Sequence, residues 1–156
     1  METLTRPATC HTWMGVTTTS PTQFVDLTDR LGRLIDKWGV QSGILNVQTL
    51  HTTTAIVVNE HEPLLLVDFQ RILEATAPDH AGYRHDDRTA RTVNRTAAER
   101  ANGHAHCRAL FLPTSVCLNV NDGRLVLGRW QRVFFVELDG PQEREVSAQL
   151  VAGNRS

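Results

Sequence analysis

Hydrophobic positions in the first part of the chain follow a strand pattern and then a helix pattern. Residues 9–18 mix Thr, Val and Trp with polar positions, which predicts a first strand on a half-exposed sheet. An amphipathic helix is predicted next, because apolar residues recur at helical spacing: Leu31, Leu34, Ile35 and Trp38. Thr28 is its expected N-cap, and Gly39 is its expected end.

A run rich in β-branched residues follows and is divided by a polar centre. Residues 43–60 read GILNVQTLHTTTAIVVNE, in which HTTT separates two apolar stretches. This pattern predicts two strands or one long bent strand. A second helix is predicted from Pro63, which suits a first helical turn, to a point before Pro78. Its apolar face consists of Leu65, Leu66, Phe69, Ile72 and Leu73.

The stretch from Pro78 to Gly103 fits neither a helix nor a strand pattern, because it has hardly any apolar residues. Five arginines lie among its Asp, Thr and Asn residues: Arg84, Arg88, Arg91, Arg95 and Arg100. A loop of this length inside a compact domain is usually functional or disordered. Segment 84–100 is therefore expected to be either part of a site or a solvated, mobile loop.

The last third of the chain predicts one short helix and several antiparallel strands. HAHCRALFL at residues 104–112 suits the helix. The predicted strands are Val116–Val120, Leu125–Leu127, Arg132–Leu138 and Glu145–Val151. Asn121-Asp122-Gly123 predicts a hairpin turn, and Asp139-Gly140-Pro141 predicts a break in which Gly140 tolerates a positive φ. The elements together indicate a β-rich α+β fold in a single domain, residues 1–156.

Composition narrows the class of protein without naming a partner. A chain of 156 residues can bury a core without disulfides or a structural metal. A net charge of -1 with 21% charged residues gives no sign of a nucleic-acid arm. The N-terminal residues contain no signal-peptide-like apolar stretch, and no window approaches the roughly 20 apolar residues of a membrane span.

The cysteines point to a reducing compartment. They are odd in number and widely spaced, at Cys10, Cys107 and Cys117, which favours buried reduced thiols over a disulfide framework or a thiolate zinc site. We therefore expect a cytoplasmic protein with neither a nucleic-acid nor a membrane partner.

Histidines are the residues best suited to carry chemistry, and the sequence has seven. His51 lies at the break between two apolar runs, where a strand end can present an imidazole to a pocket, and His85 lies in the polar loop. His104 and His106 form an HxH pair whose side chains diverge on the predicted helix. Three histidines and a water are a catalytic zinc arrangement, but for each histidine a solvent-facing or hydrogen-bonded role is equally expected.

Carboxylates and arginines supply further candidates. Asn59-Glu60 ends an apolar strand and Asp68 lies in the following helix, so a carboxylate can act there as a base or orient a ligand. Glu60 is equally well explained as a charge at a helix N-terminus. Arg144 and the loop arginines suit bidentate phosphate binding, with a solvated charged loop as the alternative. The chain has no GxGxxG, Walker A, GxSxG or HExxH sequence.

An ordered set of motifs covers nearly the whole chain: GILNVQTLHTTTAIVVNE, YRHD, NGHAH and LVLGRWQ. With them the sequence resembles the YjbQ-type family, also called secondary thiamine-phosphate synthases. The family's motif residues fall on His51, Asn59, Glu60, Asp68, His85, Ala105, His106 and residues 128–131. The chain departs from the family's usual sequence at two places. It has Asn119 where the family usually has proline, and its arginine-rich loop beside His85 is long.

The resemblance implies a sandwich-like antiparallel core flanked by helices, and a homotrimer with sites near the subunit interfaces. It also implies that His51, His85 and His106 gather around a divalent metal, with zinc expected and magnesium an option for a diphosphate substrate. Glu60 is then a catalytic residue beside His51 and His106. The residues expected to bind a phosphorylated small molecule are Asn59, Asp68 and Arg144.

The function that the resemblance implies is a transferase. It would join hydroxymethylpyrimidine diphosphate to thiazole phosphate and release diphosphate, whose growing charge the metal and Arg144 would stabilise. Two alternatives stay open beside this transferase. One is a metal-dependent hydrolase of a phosphorylated small molecule, and the other is a trimeric ligand-binding protein without catalysis.

Overall fold

A computed structural model describes residues 9–153. Residues 1–8 and 154–156, which are the two ends of the predicted domain 1–156, lie outside this range. The N-terminal segment considered above as a signal peptide lies partly in the first of these ends. The elements in chain order are β1 (Thr9–Thr17), β2 (Gln23–Asp26), α1 (Thr28–Trp38), β3 (Gly43–Thr49), β4 (Thr54–Glu60), α2 (Pro63–Thr76), a 3-10 turn (Arg84–Asp86), α3 (Gly103–Ala109), β5 (Ser115–Asn121), β6 (Arg124–Leu125), β7 (Gln131–Glu137) and β8 (Glu143–Ala152). The predicted α+β class is confirmed.

The strands form two antiparallel sheets, one of five strands in the order β1-β8-β3-β5-β6 and one of three strands in the order β2-β7-β4. The run at residues 43–60 is therefore two strands, and they belong to different sheets. Its polar centre, HTTT, is where the chain crosses from one sheet to the other. This crossing places His51 just beyond the end of β3, between the two sheets.

The two sheets pack face to face around the main core. Leu45, Val47 and Leu150 from the large sheet and Phe135 from the small sheet are at most 1% exposed and belong to this core. The opposite face of the small sheet packs against α2 and α3, where Phe134 joins a second cluster. Because β7 is buried on both faces, its sequence contains the continuous apolar run VFFV instead of alternating apolar and polar residues.

The first helix begins differently from the prediction. Leu27 is the N-cap residue of α1, and Thr28 is already helical. The Thr28 hydroxyl accepts a hydrogen bond from the Val133 backbone N–H at 2.8 Å, so this side chain ties the helix to β7 instead of capping it. The predicted end is confirmed, because Gly39 adopts the left-handed conformation with φ 65°.

The structure differs from the sequence predictions at two other places, β2 and Gly140. The strand Gln23–Asp26 was missed, since four residues are too few to display a period of two, and its pairing with β7 defines it. Gly140 can tolerate a positive φ but does not adopt one, whereas Asp122 and Gly123 do so in the predicted hairpin turn. Gly140 is required by close packing, because a Cβ atom there would overlap the Ser20 carbonyl oxygen.

The arginine-rich loop is held by one ion pair within itself and by one to the folded body. Arg91 pairs with Glu99 at 2.9 Å inside the loop, and Arg100 pairs with Asp139 between β7 and β8 at 3.3 Å. Within residues 9–153, no helix has the length and apolar character of a membrane span.

Candidate functional site

A cavity of about 900 Å³ lies where the β3–β4 turn, the arginine-rich loop, α3 and the start of β8 meet. Its lining includes three histidines and three arginines: His51, His85, His106, Arg84, Arg91 and Arg144. These residues come from four separate segments of the chain, so the cavity is a product of the tertiary fold.

His85 and His106 form a close pair in the cavity wall. His85 lies in the 3-10 turn and His106 on α3, and their ring centroids are 4.5 Å apart at an angle of 60°. The Nε2 atom of His85 is buried and has no hydrogen-bond partner within residues 9–153. Burial lowers the pKa of His106, and the neighbouring His85 lowers it further, against a smaller opposing effect of Asp139. His106 is therefore neutral near pH 7.

His51 is held in the β3–β4 turn by backbone contacts. Its Nε2 accepts a hydrogen bond from the Glu145 N–H at 3.0 Å, and its carbonyl oxygen accepts one from the Thr54 hydroxyl at 3.1 Å. Burial lowers the pKa of His51, as does the positive charge of Arg144. A neutral ring that accepts through Nε2 carries its proton on Nδ1, so His51 is set as a donor in this arrangement.

Arg144 lies beneath the cavity in a bidentate ion pair with Glu137. Its Nε donates to Oε2 at 2.7 Å and its Nη2 donates to Oε1 at 2.8 Å, and Glu137 is 0% exposed. Burial raises the pKa of Glu137, but the bonds from Arg144 and from the Asp139 N–H outweigh it and bring the pKa below its ordinary value. Most of the Arg144 guanidinium is therefore already occupied by this carboxylate.

Among the described residues, Arg84 is the arginine of the cavity without a side-chain partner. Arg91 donates to Glu99, and Arg144 is paired with Glu137. The exposed Arg84 guanidinium makes no hydrogen bond and no ion pair in the part of the chain that the structure describes. Because a guanidinium matches two oxygens of a phosphate or carboxylate, Arg84 is the group best placed to bind an added anion.

Three of the candidate residues lie away from this cavity. Asn59 and Glu60 are at the far end of β4, beside Trp130 in a different depression. Since β4 runs from Thr54 to Glu60, this end lies about 20 Å from the His51 end of the strand. Asp68 is on the exposed surface of α2 and pairs with Arg71 at 3.3 Å. The structure thus brings together the three histidines and Arg144, but not Asn59, Glu60 or Asp68.

Two residues near the cavity, Glu137 and Asn102, have little or no signal in the sequence. Glu137 is the one carboxylate in the buried run VFFVE, and a charge in a strand with two covered faces indicates a buried partner. Asn102 precedes α3 and is 8% exposed. No pattern in the sequence distinguishes Asn102 from the other polar residues of its loop.

The cavity supplies some, but not all, of the ligands that the implied metal ion needs. Within residues 9–153, no group of three or more His, Cys, Asp or Glu side chains is close enough to hold one ion. The pair of His85 and His106 nevertheless offers two neighbouring imidazoles, one with a buried nitrogen that has no partner among these residues. His51 as a third ligand stays a prediction, because its Nε2 already accepts a hydrogen bond.

The lowered pKa of His106 predicts a loss of stability in acid. Since the folded pKa lies below the ordinary value of 6.5, the unfolded chain takes up more protons as the pH falls through that value. In metal-free protein, the free energy of unfolding should fall between about pH 7.5 and about pH 5.5. Urea unfolding of the His106→Gln variant should show a smaller fall than the native chain, and an equal fall would contradict the prediction.

Comparison with known proteins places these features in a family. Residues 12–153 match the profile of the family described as UPF0047 protein YjbQ-like. A UPF0047 protein of Methanothermobacter thermautotrophicus is 37% identical over 128 residues, 82% of each chain. One from Archaeoglobus fulgidus is 38% identical over 124 residues, which are 80% of this chain and 87% of that protein. A crystal structure from Sulfolobus solfataricus superposes with a TM-score of 0.82 at 31% identity, covering 94% of this chain and 99% of that one.

These relatives overturn the predicted transferase activity. The curated relatives carry only the family designation, and the Sulfolobus solfataricus structure is described as a YbjQ-like protein of unknown function. The prediction of thiamine-phosphate synthesis was wrong, because it took an activity from the resemblance that the descriptions of these relatives do not carry. What the resemblance predicted about kinship and fold is confirmed: the chain belongs to the YjbQ-like UPF0047 family.

Proposed function

We propose that the cavity binds a small anionic molecule, of the phosphate-ester type, at a centre formed by His85 and His106. The observation that carries the proposal is the close histidine pair, in which the buried Nε2 of His85 lacks a partner within residues 9–153. Arg84 lines the same cavity and pairs with no carboxylate among residues 9–153. A buried imidazole nitrogen without a partner suits a cation, and a free guanidinium suits an anion bound beside that cation.

The proposal includes a divalent ion, such as zinc, held by His85 and His106. Neutral imidazole is the commonest protein ligand for such ions, and burial favours the neutral form of His106. Magnesium suits this pair less well, because it prefers oxygen ligands. When bound, the ion would supply a positive charge that polarises an oxygen of the ligand.

His51 also suits a part in the chemistry. Burial and the charge of Arg144 lower its pKa and favour the neutral ring, and because Nε2 already accepts the Glu145 N–H, this ring offers the proton on Nδ1. We therefore propose that the protein is an enzyme in which His51 donates a hydrogen bond to the bound anion. Binding of the anion is the part of this proposal that can be tested without knowing a reaction.

Self-association as a homotrimer is a further part of the proposal. Apolar side chains are exposed directly after α3, where Leu110 is 81% and Phe111 68% exposed. Val67 on α2 is also 60% exposed. Large apolar side chains exposed in neighbouring positions, such as Leu110 and Phe111, suit a subunit interface.

The binding proposal predicts a specific effect of Arg84→Gln. Loss of a charge-assisted hydrogen-bonding group should weaken binding of inorganic phosphate about tenfold or more in isothermal titration calorimetry. Arg33→Gln on α1 makes the same charge change at a residue that does not line the cavity, and it should leave the affinity near the native value. Equal weakening in both variants would show only a general effect of net charge and would contradict the proposal.

A further inference from the structure

Asn102 has a buried side chain with an unusual hydrogen-bonding state. It lies immediately before α3, lines the cavity and is 8% exposed. An asparagine at a helix N-cap normally accepts a hydrogen bond from an N–H of the first turn through its side-chain oxygen. Asn102 makes no such bond, and its Oδ1 has no partner among residues 9–153. Helix capping therefore does not explain why this acceptor is buried.

Asp86 performs the capping in place of Asn102. Its Oδ1 accepts hydrogen bonds from the backbone N–H groups of Asn102 at 3.0 Å and Gly103 at 2.9 Å. These are N–H groups at the helix start that lack partners inside the helix. Because Asp86 comes from the 3-10 turn that also carries His85, the cap joins that turn to α3. The Asn102 carboxamide is thereby free for another interaction.

Asp139 fixes the orientation of this carboxamide. The Nδ2 of Asn102 donates to Asp139 Oδ2 at 2.9 Å, and an ionised carboxylate can only accept. The donor end of the amide therefore points to Asp139, and the oxygen is the free end. Asp139 is itself held by an ion pair with Arg100 at 3.3 Å. The free atom of Asn102 is a positioned acceptor.

We propose that Asn102 is a specificity-determining residue, whose Oδ1 accepts a hydrogen bond from a hydroxyl or amino group of the bound anion. This inference rests on the proposed function and narrows it to small phosphate esters that also carry a donor. A ligand without the donor leaves the buried oxygen unpaired, which is costly. A site built to pair with a hydroxyl rejects the analogue that lacks it for this reason.

The test compares two probes of equal chain length, glycerol phosphate and propyl phosphate, which differ in the hydroxyl groups. In isothermal titration calorimetry, the native protein should bind glycerol phosphate about tenfold or more tightly than propyl phosphate. Asn102→Ala removes the acceptor and should bind the two probes with affinities that agree within about twofold.

A second variant guards against a folding defect. Asn102→Ser keeps a preferred N-cap residue at the start of α3, but its hydroxyl is too short to replace Oδ1, so it should also lose the preference. Equal affinities in the native protein would overturn the role of Asn102, as would a preference that survives in both variants. If neither phosphate binds the native protein, the proposed function itself is contradicted, whereas binding of both without preference contradicts only this inference.

Discussion

Replacing Arg144 with methionine is expected to lower the free energy of unfolding by about 3–5 kcal/mol. Glu137 is 0% exposed and receives two hydrogen bonds from Arg144, at 2.7 and 2.8 Å. Methionine fills much of the same space but leaves this carboxylate buried without its cation. Removal of one partner from a buried pair costs far more than the pair itself contributes, because the remaining charge cannot return to water.

Urea unfolding measures this effect, and two further variants define its origin. Arg71→Met breaks the exposed pair with Asp68 and should change stability by less than about 1 kcal/mol. Adding Glu137→Gln to Arg144→Met removes the unpaired charge and should recover part of the loss. A native-like stability of Arg144→Met would mean that the pair does not anchor β7 to β8 beneath the cavity.

Much of the fold was predictable because single elements have local signals. Leu31 and Ile35 recur at helical spacing and are both buried in α1, and Gly39 ends the helix in the left-handed conformation. The run VFFV predicted a strand, but its burial on both faces depends on a second layer that no local pattern contains. The same limit explains Thr28, whose hydroxyl bonds to Val133, a residue distant in the sequence.

The candidate site was predictable only in part. His51, His85 and His106 were singled out separately, and their presence in one cavity depends on how the two sheets, the loop and α3 meet. Glu60 illustrates the opposite case. It is close to His51 in sequence, but an extended strand separates the two residues by about 20 Å. Short sequence separation along a strand therefore does not place two side chains in one site.

Replacing either His85 or His106 with alanine is expected to reduce zinc affinity about tenfold or more. This loss is the main consequence of the proposed metal centre. Each variant removes one of two imidazoles whose centroids lie 4.5 Å apart, and a single remaining ring holds an ion weakly. Loss of a group that merely supports a metal ligand already costs about 10–100-fold in metal affinity, so loss of a ligand should cost at least as much.

The most direct test of this centre is a zinc titration of the native protein, His85→Ala, His106→Ala and, as a control, the exposed loop variant His80→Ala. We expect the native chain and His80→Ala to bind about one equivalent per chain, and both pair variants to bind it at least about tenfold more weakly while unfolding at native urea concentrations. Equal zinc affinity in all four proteins, or no zinc binding by the native chain, would contradict a metal centre at His85 and His106.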